Sequence, residues 1–152
     1  MSVTWALPQL PGSFPNAGFL AKSRGPAGQR GRQKVFVVDD ESLIADTIAE
    51  ILNGCGDFEA IALHGAESAL ELAHTTVPDI LITDVVMPGM NGIELARSIH
   101  VQYPKTRIVL LSGQAQARDL VKEANHEGQP FELWAKPIHP DLLLERLKQS
   151  RS

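Results

Sequence analysis

Cysteine is almost absent, Cys55 being the only one in 152 residues. That excludes an internal disulfide and a thiolate metal cluster, and it fits a reducing compartment, with the cytoplasm as the default location. Long hydrophobic runs are missing too. No stretch approaches the roughly 20 apolar residues of a membrane helix, and the first residues lack the charged start and continuous apolar core of a secretory signal. No membrane association is expected. Acids are absent from the first 33 positions, which hold Lys22, Arg24, Arg30 and Arg32, so this stretch carries +4 and leaves −8 for the remainder of a chain whose net charge is −4. An acidic remainder has little attraction for a phosphate backbone, which argues against a nucleic-acid partner for the folded part.

Residues 1–33 also contain four prolines and five glycines, which interrupt every helical or strand period. They read as a disordered, Pro/Gly-rich basic tail, and residues 34–150 as one domain. The tail's apolar residues, Trp5, Leu7, Leu10, Phe14, Phe19 and Leu20, leave three readings open: an unselected extension, a docking peptide or an organelle transit peptide.

What is present beyond the tail is a regular alternation. Short apolar runs at Val35–Val38, Phe58–Leu63, Asp79–Asp84, Arg107–Leu111 and Phe131–Ala135 have the length and continuity of buried strands. Between and after them, Glu41–Asn53, Ala66–His74, the stretch opened by Asn91, Gln114–Glu127 and Asp141–Leu147 space their apolar residues as helices with one buried stripe. Gly54 and Gly56 close the first helix, one of them as a left-handed cap, and Asn91 suits an N-cap. Five βα units in sequence predict a doubly wound α/β domain, a parallel sheet with helices on both faces.

Chemistry gathers at the strands' carboxyl ends, where such sheets form their crevice. The first strand delivers Asp39 and Asp40, the third Asp84, the fourth Ser112 and the fifth Lys136. Carboxylates a few ångströms apart repel by about 4 kcal/mol at an effective dielectric near 20, so the cluster holds a proton or binds a cation. A hard divalent ion, Mg²⁺, suits carboxylates placed next to a phosphoryl group. Lys136 can pair with Asp84 or bind a phosphoryl oxygen, and Ser112 offers a hydroxyl to another. A carboxylate can itself be the nucleophile, giving an acyl phosphate, and Asp84 stands alone on the central strand. None of the five histidines shows metal-ligand spacing.

The order Asp39-Asp40, then Asp84-Val85-Val86-Met87-Pro88-Gly89-Met90-Asn91-Gly92, then Ser112-Gly113, then Lys136-Pro137 resembles the receiver domain of two-component response regulators. The resemblance covers Val35 to about Lys148. It implies a flavodoxin-like sheet of order 2-1-3-4-5, with Asp84 as phosphoacceptor. Asp40, Asp84 and the backbone carbonyl of Val86 would ligate Mg²⁺, with Asp39 acting through a bound water; Ser112 and Lys136 would bind the phosphoryl group. Lys136-Pro137 is similar to the family's dipeptide whose peptide bond is commonly cis. The implied partner is a histidine kinase or phosphotransfer protein, and the fourth and fifth units form a surface on which receivers often dimerise.

Two departures stand out, the switch residue and a stretch from Gly128 to Lys136 about one residue longer than the family's usual loop and strand. The family's aromatic switch position holds Leu133 here, flanked by Phe131 and Trp134, so Leu133 and Trp134 mark the expected output surface. Val86 and Gln114 occupy positions that influence hydrolysis of the aspartyl phosphate, and an apolar Val86 predicts a slow rate. The sequence stops without an output domain after Ser152. The expectation is therefore a single-domain, stand-alone switch, not an enzyme, that is read out through partner affinity. Two rivals stay open. A Mg²⁺-dependent phosphohydrolase would place a second acid where Val86 stands, and a binding module that is never phosphorylated would have no use for the intact acid set.

Overall fold

The computed structural model describes residues 31–113, 119, 122 and 131–149. The tail up to residue 30 lies outside the described residues, as does the helix expected over Gln114–Glu127 apart from Asp119 and Lys122, both of which are helical. Within them the chain runs β1 (Gln33–Val38), α1 (Ser42–Cys55), β2 (Phe58–Leu63), α2 (Ala66–Ala73), β3 (Ile80–Asp84), α3 (Gly92–Gln102), β4 (Arg107–Ser112), β5 (Glu132–Ala135) and α4 (Pro140–Gln149). All pairings are parallel, in the order β2-β1-β3-β4-β5. Among the described residues no helix is long and apolar enough to cross a membrane.

Strand residues point alternately to opposite faces, and each face has its own core. Phe36, Val38, Leu81, Ile108 and Leu110 pack with Ala69, Ala73, Leu95, Ala96 and Ile99 of α2 and α3. Val35, Val37, Ile80, Ile82, Val109, Leu111 and Trp134 pack on the other face with Ala45, Ile48, Leu52, Leu143 and Leu147 of α1 and α4. A strand covered on both sides has no polar face, which is why the inner residues of β1, β3 and β4 are almost all apolar, with Thr83 the exception in β3.

The helix ends follow local chemistry. Gly56, at φ 90°, supplies the left-handed residue that ends α1. Asn91 opens α3 with a reciprocal capping box: its Oδ1 accepts the Glu94 N–H at 2.9 Å, and Glu94 Oε1 accepts the Asn91 N–H at 3.0 Å. That box fixes where α3 begins relative to the loop leaving β3.

Candidate functional site

Parallel register puts the carboxyl ends of β1, β3, β4 and β5 at one edge of the sheet. Val38 pairs with Thr83, Asp84 with Leu111, and Ser112 with Ala135. The residues that follow or end those strands must therefore meet. Asp40, Glu41, Asp84, Val86, Ser112, Gly113 and Lys136 line one cleft of about 540 Å³. Asp39 lies beneath it and is only 2% exposed, whereas Asp40 is exposed. Successive residues leaving β1 thus take opposite roles, one buried and one at the rim.

Lys136 Nζ bridges two acids, 3.0 Å from Asp39 Oδ2 and 3.2 Å from Asp84 Oδ1. Asp39 is further fixed by the backbone, because its Oδ1 accepts the Glu41 N–H at 2.9 Å. The sequence offered Asp84 as the lysine's partner; the pair with Asp39 is equally close. Burial pushes the Asp84 carboxyl above its ordinary value and the neighbouring Asp39 adds to the push, with Lys136 opposing both. Burial by itself would lower the Lys136 ammonium. Its hydrogen bond to Asp39 and the charges of Asp84 and Asp39 outweigh that and leave it raised.

One carboxylate oxygen from each of Asp39, Asp40 and Asp84 can be chosen so that all three lie within 4.8 Å of one another. Three hard oxygen donors against a single ammonium suit a hard divalent cation that keeps several waters, which is the chemistry of Mg²⁺. Ser112 is buried at the cleft wall, and the Lys136-Pro137 peptide is cis.

Leu133 and Trp134 are not brought to the cleft. Expected on an output surface, Trp134 is instead buried, its ring centroid 5.8 and 5.5 Å from the guanidinium carbons of Arg107 and Arg146. Leu133 is half-buried against the opposite core. Adjacent strand residues must face opposite ways, so the two cannot form one surface patch. The reading by residue type also passed over Gly92, where a Cβ would collide with the Asp84 carbonyl, and over Thr83, a fully buried hydroxyl beside Asp84. The apolar run around Thr83 was the available signal.

A doubly wound parallel sheet with an acid crevice at its strand ends defines a class, and comparison with known proteins narrows it. Residues 35–148 match the family described as response regulator receiver domain. Among curated proteins, the chain is 28% identical over 117 residues to the DNA-binding response regulator MtrA of Mycolicibacterium paratuberculosis, covering 77% of this chain and 50% of that protein. It is 29% identical over 114 residues to the cell cycle response regulator CtrA of Brucella ovis, covering 75% of this chain and 48% of that one. The chain spans about half the length of these curated relatives. Among solved structures, a CheY-like receiver domain protein from Methanospirillum hungatei superposes with a TM-score of 0.69 at 26% identity, over 78% of this chain and 92% of that one. Vibrio cholerae CheY4 gives 0.69 at 28%, over 78% and 98%. The chain belongs to the response regulator receiver domain family and carries the receiver part of a two-component signalling protein. Receiver domains bind Mg²⁺ at an acidic pocket and interact with a histidine kinase or phosphotransfer protein.

Proposed function

We propose that Asp84 accepts a phosphoryl group from a phosphohistidine of a partner kinase or phosphotransfer protein, and that the resulting charge changes the affinity of this domain for a downstream protein. What supports this reading is the Lys136 ammonium, 3.0 Å from Asp39 and 3.2 Å from Asp84 in a cleft with three clustered carboxylates. An Asp84 carboxylate oxygen attacks phosphorus, the phosphorus–nitrogen bond breaks, and the imidazole leaves and takes up a proton. The product is an acyl phosphate on Asp84. Lys136 holds one phosphoryl oxygen as a point charge, and the Ser112 hydroxyl donates to another.

Asp40, Asp84 and the Val86 carbonyl would hold Mg²⁺, with Asp39 acting through a bound water; the ion, when bound, neutralises charge on the phosphoryl oxygens. The Val86 side chain lines the cleft and is 46% exposed, but it is apolar and cannot orient an attacking water. Hydrolysis is therefore slow. Because Trp134 is buried, the readout lies in backbone and side-chain shifts along β4, β5 and α4, the same surface on which two copies would pair.

Intact-mass measurement after incubation with acetyl phosphate tests this. A Mg²⁺-dependent adduct of one phosphoryl group, lost in Asp84→Ala and persisting for minutes, is the expected result. Phosphate release without an adduct would favour a phosphohydrolase. If neither appears, even with a phosphohistidine donor protein, the domain is an unphosphorylated binding module.

A further inference from the structure

Asp84 is the last residue of β3, so the aim of its carboxylate depends on how the next peptide is held. Three contacts converge on that peptide and a fourth on the carbonyl that follows it, at Val85. The Val85 N–H donates to the Leu111 carbonyl oxygen at 3.1 Å, and the Gly92 N–H donates to the Val85 carbonyl oxygen at 2.8 Å. The Thr83 hydroxyl donates to the Asp84 carbonyl oxygen at 3.0 Å. On another side the Gly92 Cα lies so near that a Cβ would overlap the Asp84 carbonyl and crowd the Val85 Cα. The atoms it would meet are backbone, which has no side-chain rotation with which to give way.

Thr83 is 0% exposed and sits in a strand whose other residues before Asp84 are Ile80, Leu81 and Ile82. Packing alone does not call for a hydroxyl there. Valine has the same shape and brings no polar group that must be satisfied in the interior. Threonine's β-branch restricts its χ1, so the hydroxyl is held in a defined direction rather than merely tolerated. Gly92 is equally constrained, because the capping box of Asn91 and Glu94 fixes the start of α3 around it.

We propose that Thr83 and Gly92 are positioning residues that clamp the Asp84–Val85 peptide. The clamp aims the Asp84 carboxylate at Lys136 and Asp39, and it sets the course of the loop that brings Val86 to the cleft. The proposal rests on reading Asp84 as the phosphoacceptor. Neither residue touches the reacting atoms; both act through the backbone of the residue that does.

The test compares wild type with Thr83→Val, Thr83→Ser and Gly92→Ala in three measurements. These are residue-resolved hydrogen exchange of the metal-free protein, Mg²⁺ affinity by calorimetry, and the rate of adduct formation from acetyl phosphate. Thr83→Val is expected to speed exchange of the Val85 and Gly92 amides by about tenfold, the equivalent of one lost hydrogen bond. Mg²⁺ affinity and adduct rate fall with it, and Thr83→Ser, which keeps the hydroxyl, recovers most of the loss. Gly92→Ala shifts the same two readouts in the same direction. Should Gly92→Ala fail to fold, the Thr83 pair decides alone. Wild-type exchange and Mg²⁺ affinity in Thr83→Val would overturn the clamp, as would faster exchange spread evenly over the whole sheet, which marks a structural role only. If wild type itself forms no adduct, the phosphoacceptor reading fails, while exchange and Mg²⁺ affinity still decide the clamp.

Discussion

The two ends of the sheet handle charge in opposite ways. At the amino ends of β4 and β5, Arg107 meets Glu132 through two hydrogen bonds of 2.6 and 3.0 Å. The same guanidinium donates to the carbonyl oxygens of Arg146 and Leu147 near the end of α4, giving groups that a helix terminus leaves open a partner. One cation meets one anion there, in the planar fork geometry that arginine favours. At the carboxyl ends, three carboxylates cluster and the ammonium of Lys136 pairs with two of them, Asp39 and Asp84. The first arrangement is balanced and joins β4, β5 and α4. The second holds an excess of negative charge in a half-buried cleft, and that excess gives it affinity for cations.

If the amino end serves stability, breaking it should cost the most. Arg107→Met leaves Glu132 without its partner and two helix carbonyls without a donor, and it also removes one of the two guanidinium groups beside Trp134. The pair is partly exposed, so a loss of about 2–3 kcal/mol is expected in urea unfolding. Adduct formation at Asp84 should persist in the folded fraction. Loss of the adduct with stability unchanged would reverse the roles assigned to the two ends.

Lys136→Met makes the matching break at the other end. It strands Asp39, which is 2% exposed, beside a half-buried Asp84, and should cost about 2 kcal/mol in metal-free unfolding. Added Mg²⁺ should restore part of that stability, whereas it should restore none in Arg107→Met beyond what wild type gains. A Mg²⁺ response equal in both variants would show that the acids are not what the ion relieves.

The contrast between the ends was only half legible in the sequence. Asp39, Asp40, Asp84, Ser112 and Lys136 announce themselves because each follows or ends an apolar run, and parallel strands bring such positions to one edge. Which of two adjacent acids turns inward depends on the exit of the chain from β1, which residue types do not state. The double pairing of Lys136 was therefore missed. Arg107 and Glu132 are 25 residues apart, and their meeting depends on the β4–β5 register, in which Val109 faces Glu132. Thr83 and Gly92 act through backbone contacts, which leave no pattern of charge or periodicity to read.

Removing an acid should sharpen the comparison, because it relieves repulsion instead of breaking a pair. Asp84 has its carboxyl pushed up by burial and by Asp39, so the folded state holds its proton more tightly than the unfolded state. Its contribution to stability is fully present below the ordinary carboxylate value and is lost as pH rises through the raised folded value. Asp84→Asn removes that loss. Without metal the variant should gain on wild type as pH rises through the carboxylate range toward neutrality. Denaturant midpoints across that range check the sign, and a wild type that instead gained on the variant with pH would mean Lys136 outweighs burial at Asp84.

Asp40 is the smallest test in stability and separates folding from binding most cleanly. It belongs to the same cluster as Asp39 and Asp84 but stands exposed at the rim, where water already solvates its charge. Folding therefore gains little from it and loses little to it. Asp40→Asn should change unfolding free energy by no more than about 0.5 kcal/mol. Mg²⁺ is a different matter, because an amide oxygen carries no net charge to offset the ion's, and affinity should fall by about tenfold when measured by calorimetry. A variant that bound Mg²⁺ as wild type does would take Asp40 out of the ligand set and leave the buried acids to hold the ion. A variant that lost stability instead would mean that the rim acid is part of the fold, and that the division between a balanced end and a charged one is less sharp than the geometry makes it.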